Sequence, residues 1–313
     1  MSPREPKYWI REFGRNELPV LARTVEELAR IEADADRVST QHLSDIVMHD
    51  PLMTFKVLRY IQLHRHRSQR VDVTTIAHAL MMLGMNPFFE HFKSQSTLQS
   101  SVAHSAAALN GAMTVMSRAR HAALYARDWA VLRHDIEVDE VTTAALLHDF
   151  AELLLWCCAP DLAMRIQALT RMAGLRSEAA QREVLGFPLI ALQLELAHEW
   201  KLPDLLCDLM DERHAATPRA LNVSLAVAVA RHSANGWDNP ALPDDFASIG
   251  RLLSLGPVGA RDRVIKVALR AAADWDWYGV PPAAASLAMA TEPPQRGDEA
   301  GGAHPTVETP QRP

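Results

Sequence analysis

Three polar residues interrupt the most apolar stretch of this chain, residues 141–158, which read VTTAALLHDFAELLLWCC. They are His148, Asp149 and Glu152, and the apolar residues around them predict a buried helix. An unpaired carboxylate or imidazole is costly to bury, so each group must be paired, exposed on a polar stripe or bound to a metal. The residues of this stretch leave those three alternatives open.

The composition is that of a globular protein without a general affinity for polyanions. The chain has 313 residues and a net charge of -6, so no overall basic field draws it to nucleic acid or to an anionic membrane. Its three cysteines, Cys157, Cys158 and Cys207, form no CxxC pair, which favours a reducing compartment. The N-terminus lacks a signal-peptide core, and no apolar run reaches the roughly 18 residues of a membrane span. We expect a soluble, cytoplasmic protein with no membrane segment.

Apolar residues recur at helical spacing along most of the chain, and no alternating strand pattern is sustained. We therefore predict an all-α architecture with two helical lobes. From residue 94 to residue 105 the composition turns to Ser, Gln, Thr and small residues, which places the internal boundary there. The predicted divisions are an N-terminal leader (1–17), a first lobe (18–105), a second lobe (106–236), a C-terminal helical extension (237–285) and a disordered tail (286–313).

Some helix ends are encoded by neighbouring residues. Asp50 followed by Pro51 predicts a helix start, because Asp accepts hydrogen bonds from unpaired N–H groups and Pro fits the first turn. Residues 76–83 are predicted to form the next helix, between a Thr pair and a glycine. Asp139 is predicted to cap the central helix, with Glu140 in its first turn.

The most basic segment, residues 64–70 (HRHRSQR), lies between two predicted helices. Arginine pairs well with phosphate, so nucleic-acid binding through Arg65, Arg67 and Arg70 is one hypothesis. No aromatic residues are interleaved here to stack on bases, as single-strand binders require. We therefore expect a solvated loop and no nucleic-acid partner.

The dipeptide His-Asp occurs three times, at residues 49–50, 134–135 and 148–149, and only the last lies inside an apolar helix. A divalent metal accepts imidazole and carboxylate together, but it usually needs a third protein ligand. His121, in the preceding long helix, is the natural third ligand if the two helices pack antiparallel. His214 and His232 are weaker candidates on later helices.

At this point the chain resembles the HDOD domain, the "HD-related output domain" of bacterial signalling proteins within the HD superfamily. The resemblance is distributed over residues 18–233 and implies a two-lobed helical fold. The segments that carry it are Leu18-Pro19, residues 46–52, residues 56–59 (KVLR), residues 79–84 (ALMMLG), His121, residues 144–149 (AALLHD), residues 200–203 (WKLP) and His214.

The resemblance also suggests how the site departs from catalytic relatives. HD phosphohydrolases carry a His, a His-Asp pair and a distant Asp, which hold one or two metals that activate water. Here His121, His148 and Asp149 match the first three positions, but Arg231 and His232 stand where the distant Asp is expected. An arginine near Asp149 would pair with it and make a metal unnecessary. Conversely, Glu152 and His232 are candidates to restore the missing ligands.

The resemblance, together with these departures, implies a non-catalytic signalling module that acts through a protein partner or a small ligand such as a nucleotide or cyclic dinucleotide. We expect no cofactor, and Fe, Mn or Zn only if the site is intact. The alternative is a metal-dependent phosphohydrolase of a nucleotide or cyclic dinucleotide, with metal at His121, His148 and Asp149. In either case Glu152, His214, Arg231 and His232 are predicted to modify the pocket.

Overall fold

The computed structural model describes residues 5–15, 17–33, 38–64, 72–172 and 174–287. Within these ranges the predicted all-α class is confirmed, since the regular elements are helices and the extended contact is a single bridge between Val20 and Thr97. Most of the predicted tail and residues 65–70 of the basic segment lie outside the described residues. The domain divisions stay a prediction.

Among the described residues, the first part of the fold contains seven short α-helices. They are α1 (Pro6–Phe13), α2 (Ala22–Glu32), α3 (Thr40–Val47), α4 (Pro51–Leu63), α5 (Ile76–Leu83), α6 (Met85–Phe92) and α7 (Leu98–Ser101).

The second part is built on a long helix, α8 (Ala106–Leu132), against which α9, α10, α15 and α17 pack. The remaining helices are α9 (Val138–Leu147), α10 (Phe150–Cys158), α11 (Pro160–Met172), α12 (Ser177–Leu185), α13 (Leu189–Glu199), α14 (Asp204–Met210), α15 (Pro218–Ser233), α16 (Leu242–Leu253), α17 (Pro257–Ala271) and α18 (Trp275–Tyr278).

Local capping explains several of these boundaries. The carboxylate of Asp50 accepts hydrogen bonds from the N–H groups of Leu52 and Met53 at the start of α4, as predicted. Its other oxygen accepts from the N–H of Leu21 at 2.7 Å and from Thr24 Oγ1 at 2.9 Å. Asp50 is fully buried. Because its two oxygens bind residues at both helix starts, it holds the start of α2 against the start of α4.

The central apolar stretch is two helices rather than the one that was predicted. α9 ends at Leu147 and α10 begins at Phe150, with a turn at His148 and Asp149 between them. The predicted cap at Asp139 is also wrong, because Asp139 lies in the first turn of α9 and Glu137 takes the cap position. A turn allows two adjacent polar side chains to point into one cavity, which a continuous helix would direct about 100° apart.

Buried apolar side chains from both lobes and from the C-terminal extension form one continuous core. The predicted leader contributes to it, since Trp9, Ile10 and Phe13 of α1 are buried and α1 packs against α13 and α10. The sequence pattern predicted no helix in this segment. Its partner lies about 180 residues away along the chain, which no local pattern reveals.

One segment, Val138–Cys158, has the length and apolar composition of a membrane span, contrary to the expectation that no run was long enough. Of its most apolar window, 78% is buried inside the fold. The segment belongs to the protein core, and it is interrupted by the turn at His148. The cytoplasmic location stays a prediction.

The C-terminal extension fastens the two lobes together at a cluster that we call the C-terminal clasp, formed by His49, Arg120, Asp274, Trp277 and Tyr278. Arg120 Nε donates to Asp274 Oδ2 at 2.9 Å, and His49 Nε2 lies 3.3 Å from the same oxygen. The ring of His49 stacks on Trp277 with centroids 4.3 Å apart. Tyr278 Oη donates to the carbonyl oxygen of His49 at 2.8 Å.

Candidate functional site

The site lies where α10 begins beside the middle of α8. These two helices approach closely because Gly111 of α8 faces the indole ring of Trp156 of α10. A Cβ atom at Gly111 would lie 2.4 Å from that ring. Seven residues further along α8, Arg118 lies opposite the start of α10 and contacts Asp149 and Glu152.

The turn between α9 and α10 places His148 and Asp149 side by side. His148 Nδ1 lies 3.1 Å from Asp149 Oδ1, and the two side chains are 6% and 11% exposed. Gln193, a buried residue of α13, holds the turn in place, since it donates to the carbonyl oxygen of Leu147 and accepts from the N–H of Ala151. These bonds pair backbone groups that the interrupted helix leaves unsatisfied.

Asp149 is neutralised by two arginines. Arg118 donates from Nε at 3.1 Å and from Nη2 at 2.7 Å to Asp149 Oδ2, and Arg231 Nη2 donates to Oδ1 at 2.9 Å. Burial by itself raises the pKa of Asp149, but the charges of Arg231 and Arg118 and the contact with His148 outweigh it. The pKa is therefore held well below its usual value of 3.8.

Arg118 also binds Glu152, whose Oε2 accepts from Nη2 at 2.6 Å. Burial opposes the charge on Arg118, but Glu152 and Asp149 together outweigh that effect and raise the pKa of the guanidinium. The cluster therefore contains two arginines and two carboxylates whose charges balance. Buried ions are tolerated in proteins when they are paired in this way.

His121 is buried but lies in a different cavity from His148. It lines a small space of about 20 Å³ with Ser117, Arg118 and Ala230, and His148 lines a separate one. Its Nδ1 donates to the carbonyl oxygen of Ser117 at 2.8 Å, while its buried Nε2 has no hydrogen-bond partner among the described residues. Burial lowers the pKa of His121, which favours the neutral ring.

The two weaker histidine candidates lie apart from this cluster. His232 Nδ1 lies 2.6 Å from Asp245 Oδ2 of α16. His214 follows α14 in a short 3-10 helix, is half exposed and lies 3.4 Å from Asp208. The structure does not bring either residue to His148, whereas Glu152 and Arg231 do line its cavity.

The cavity at His148 has a volume of about 140 Å³ and opens between α10, α12, α13 and α15. Polar lining residues outnumber apolar ones. The polar residues that line it include His148, Asp149, Glu152, Glu178, Gln193 and Arg231.

A metal ion of the kind that catalytic HD proteins bind does not fit these donors as they are arranged. Both oxygens of Asp149 already accept from arginine, and His121 lies outside the cavity. Across the described residues, no group of three or more His, Cys, Asp and Glu side chains is placed to hold a metal. The metal set His121, His148 and Asp149 stays a prediction that this arrangement does not favour.

Sequence reasoning missed two residues of the site, Arg118 and Gln193. Arg118 had a usable signal, since it lies three residues before His121 and so on the same face of α8. Gln193 had no usable signal, because it contacts backbone atoms 42 and 46 residues away. By contrast, the pairing of Arg231 with Asp149 is the one considered from the sequence.

Solved structures with the same fold come from bacterial proteins. The MmoQ response regulator from Methylococcus capsulatus is 19% identical, with 80% of this chain and 98% of that chain covered and a TM-score of 0.60. A virulence factor from Campylobacter jejuni is 16% identical, with coverage of 85% and 96% and a TM-score of 0.63. A comparison with curated protein sequences gives no match. At these identities the likeness concerns the fold.

The family is established by a sequence model rather than by these structures. The model of the HDOD domain matches residues 18–216, which is well over half of the chain. The matched region contains both the capped start of α4 and the turn at His148 and Asp149. This chain therefore belongs to the HDOD domain family.

Proposed function

We propose that this protein is a non-catalytic signal-transduction module of the HDOD family, which acts by binding a protein partner or a small ligand. The observation that carries the proposal is the engagement of Asp149 by Arg118 and Arg231. In a metal-dependent phosphohydrolase this carboxylate would bind the metal that lowers the pKa of the attacking water. Here two guanidinium groups compensate its charge instead.

The competition between arginine and metal is electrostatic. A divalent cation that entered beside Asp149 would meet two fixed positive charges, and it would have to displace at least one of them. Glu152, a carboxylate of the same cavity, is itself bound to Arg118 at 2.6 Å. The balanced cluster thus supports a structural or ligand-sensing role for the site.

Metal content and hydrolysis test the proposal together. The 313-residue chain, purified without chelators, is analysed for Fe, Mn and Zn and is assayed with a cyclic dinucleotide and with bis(p-nitrophenyl) phosphate. We expect substoichiometric metal and no turnover, with or without added Mn²⁺. Stoichiometric metal that is lost in His148→Ala but kept in His232→Ala, together with turnover, would establish the phosphohydrolase alternative and overturn the proposal.

A variant designed to create a metal site tests whether Arg118 and Arg231 are what disfavours a metal at Asp149. Arg118→Met with Arg231→Asp removes both cations and places a carboxylate where catalytic relatives of this family carry one. We expect this double variant to bind Mn²⁺ at least about tenfold more tightly than the unaltered protein does. If its affinity is unchanged while circular dichroism shows a folded helical protein, the arginines are not what disfavours a metal.

A further inference from the structure

A second cavity lies on the first lobe and shares no residue with the cavity at His148. Its volume is about 320 Å³, at the lower end of the range for small-molecule sites. It is open on one side and is formed by α4, α6 and the segment before α2.

Arg59 of α4 supplies this cavity with a cation that is not neutralised by a carboxylate of the described residues. Its guanidinium lies over the ring of Trp200, 4.8 Å from the centroid. Its Nε is buried and has no hydrogen-bond partner within the part of the chain that the structure describes. Burial also lowers the pKa of Arg59, so the folded protein bears a desolvation cost for this charge.

The other polar groups of the cavity are already paired. Lys56 Nζ donates to Glu17 Oε1 at 3.1 Å, to the carbonyl oxygen of Leu18 at 2.9 Å and to Gln95 Oε1. An ammonium group has three donors, so these bonds use all of them. Tyr60 Oη and His91 Nε2 pair at 2.6 Å. The charge available to a ligand is therefore that of Arg59.

The remaining lining residues are apolar, so the cavity offers a surface for an apolar part of a ligand in addition to the charge of Arg59. Leu18 and Phe92 are buried walls of the cavity, while Leu63 at its edge is 53% exposed. A fixed guanidinium beside an apolar wall complements a molecule with an anionic group at one end and a flat apolar group at the other. Inorganic anions lack the second feature, and neutral rings lack the first.

We infer that this cavity binds a small organic anion, a phosphate or carboxylate attached to a flat apolar ring, with Arg59 as the residue that pairs with the anionic group. The stacking of Arg59 on Trp200 holds the guanidinium in place before the ligand arrives. A preorganised donor loses less conformational entropy on binding than a free surface arginine does.

Calorimetric titration of the 313-residue chain with naphthyl phosphate, naphthoate and naphthol tests the inference. We expect at least one of the two anions to bind more tightly than naphthol, and the stronger anion identifies the preferred group. Arg59→Met should weaken that binding by at least about tenfold, the usual effect of losing a charge-assisted hydrogen bond. Arg30→Met, which alters an exposed arginine of the same lobe, should leave it unchanged.

Leu63→Glu provides a second variant that does not disturb the contact with Trp200. A carboxylate at this exposed rim position should repel the anion and weaken its binding, while naphthol binding changes little. The inference is overturned if neither anion binds more tightly than naphthol. It is also overturned if anion binding is the same in folded Arg59→Met or Leu63→Glu protein as in the unaltered chain.

Discussion

The guanidinium of Arg118 donates two hydrogen bonds to one oxygen of Asp149, at 3.1 and 2.7 Å, while Arg231 occupies the other oxygen at 2.9 Å. Arg118 and Asp149 have side chains that are only 12% and 11% exposed. A pair this deeply buried is costly to break from one side, because the remaining ion keeps its desolvation penalty and loses its compensation.

Arg118→Met is therefore expected to lower the free energy of unfolding by about 3 to 5 kcal/mol, since it leaves Asp149 and Glu152 with fewer cationic partners. Urea unfolding followed by circular dichroism measures the change. The matched control is Arg127→Met on the same helix, whose pair with Asp139 is about half exposed, and it should cost less than about 1 kcal/mol. Equal losses in the two variants would contradict the role given to Arg118.

Asp149 predicts an acid dependence of stability. Its folded-state pKa is depressed, so its contribution is complete above the unfolded value of about 3.9 and is lost as pH falls through the folded value. Unfolding free energies measured between pH 6 and pH 3 should fall less steeply in Asp149→Asn than in the unaltered protein. Parallel curves for the two proteins would show that Asp149 is not held in its charged form.

Burial of His121 leads us to expect a second pH dependence of the free energy of unfolding, at higher pH than that of Asp149. Burial lowers its folded-state pKa, so the unfolded chain takes up a proton first and stability falls as pH drops below about 6.5. His121→Leu should remove a slope of up to about 1.4 kcal/mol per pH unit between pH 6.5 and pH 5. At pH 7.5, where the ring is neutral, the same variant should lie within about 1 kcal/mol of the unaltered protein, since it also removes an unpaired buried nitrogen.

Gly111→Ala tests the close approach of α8 and α10. Alanine in place of glycine favours an isolated helix by about 1 kcal/mol, but a Cβ atom 2.4 Å from Trp156 forces the helices apart at a cost of about 1 to 3 kcal/mol. We expect a net loss in thermal unfolding experiments. The double variant Gly111→Ala with Trp156→Leu should lose less than the two separate losses added together, because one change relieves the other.

The C-terminal clasp predicts a link between the extension and the first lobe. Burial by itself raises the pKa of Asp274, but the hydrogen bond with His49 and the charge and hydrogen bond of Arg120 outweigh it and hold the pKa at about 2. Asp274→Asn weakens both contacts. The expected cost is about 1 kcal/mol, with faster proteolytic release of the C-terminal segment at neutral pH. The conservative variant Trp275→Phe, at an exposed ring outside the clasp, should change neither measurement.

Much of the helical framework follows from neighbouring residues. The start of α4 at Asp50 and the limits of α5 depend on hydrogen bonds that span two to four residues, so sequence patterns predicted them correctly. The same holds for the all-α class, because helical periodicity is a property of a short window. The resemblance to the HDOD domain is also visible in the sequence, because the segments that carry it are short and occur in order along the chain.

Long-range packing determines which side chains meet at the site. The turn at His148 is held by Gln193 from another helix, and Asp149 is paired with residues 31 and 82 positions away. His121 matched the family pattern in sequence, yet it lines a separate small cavity, and Arg118 of the same helix is the residue that pairs with Asp149. Which charged groups meet in the core depends on how helices rotate and approach one another, and no periodicity within a single helix contains that information.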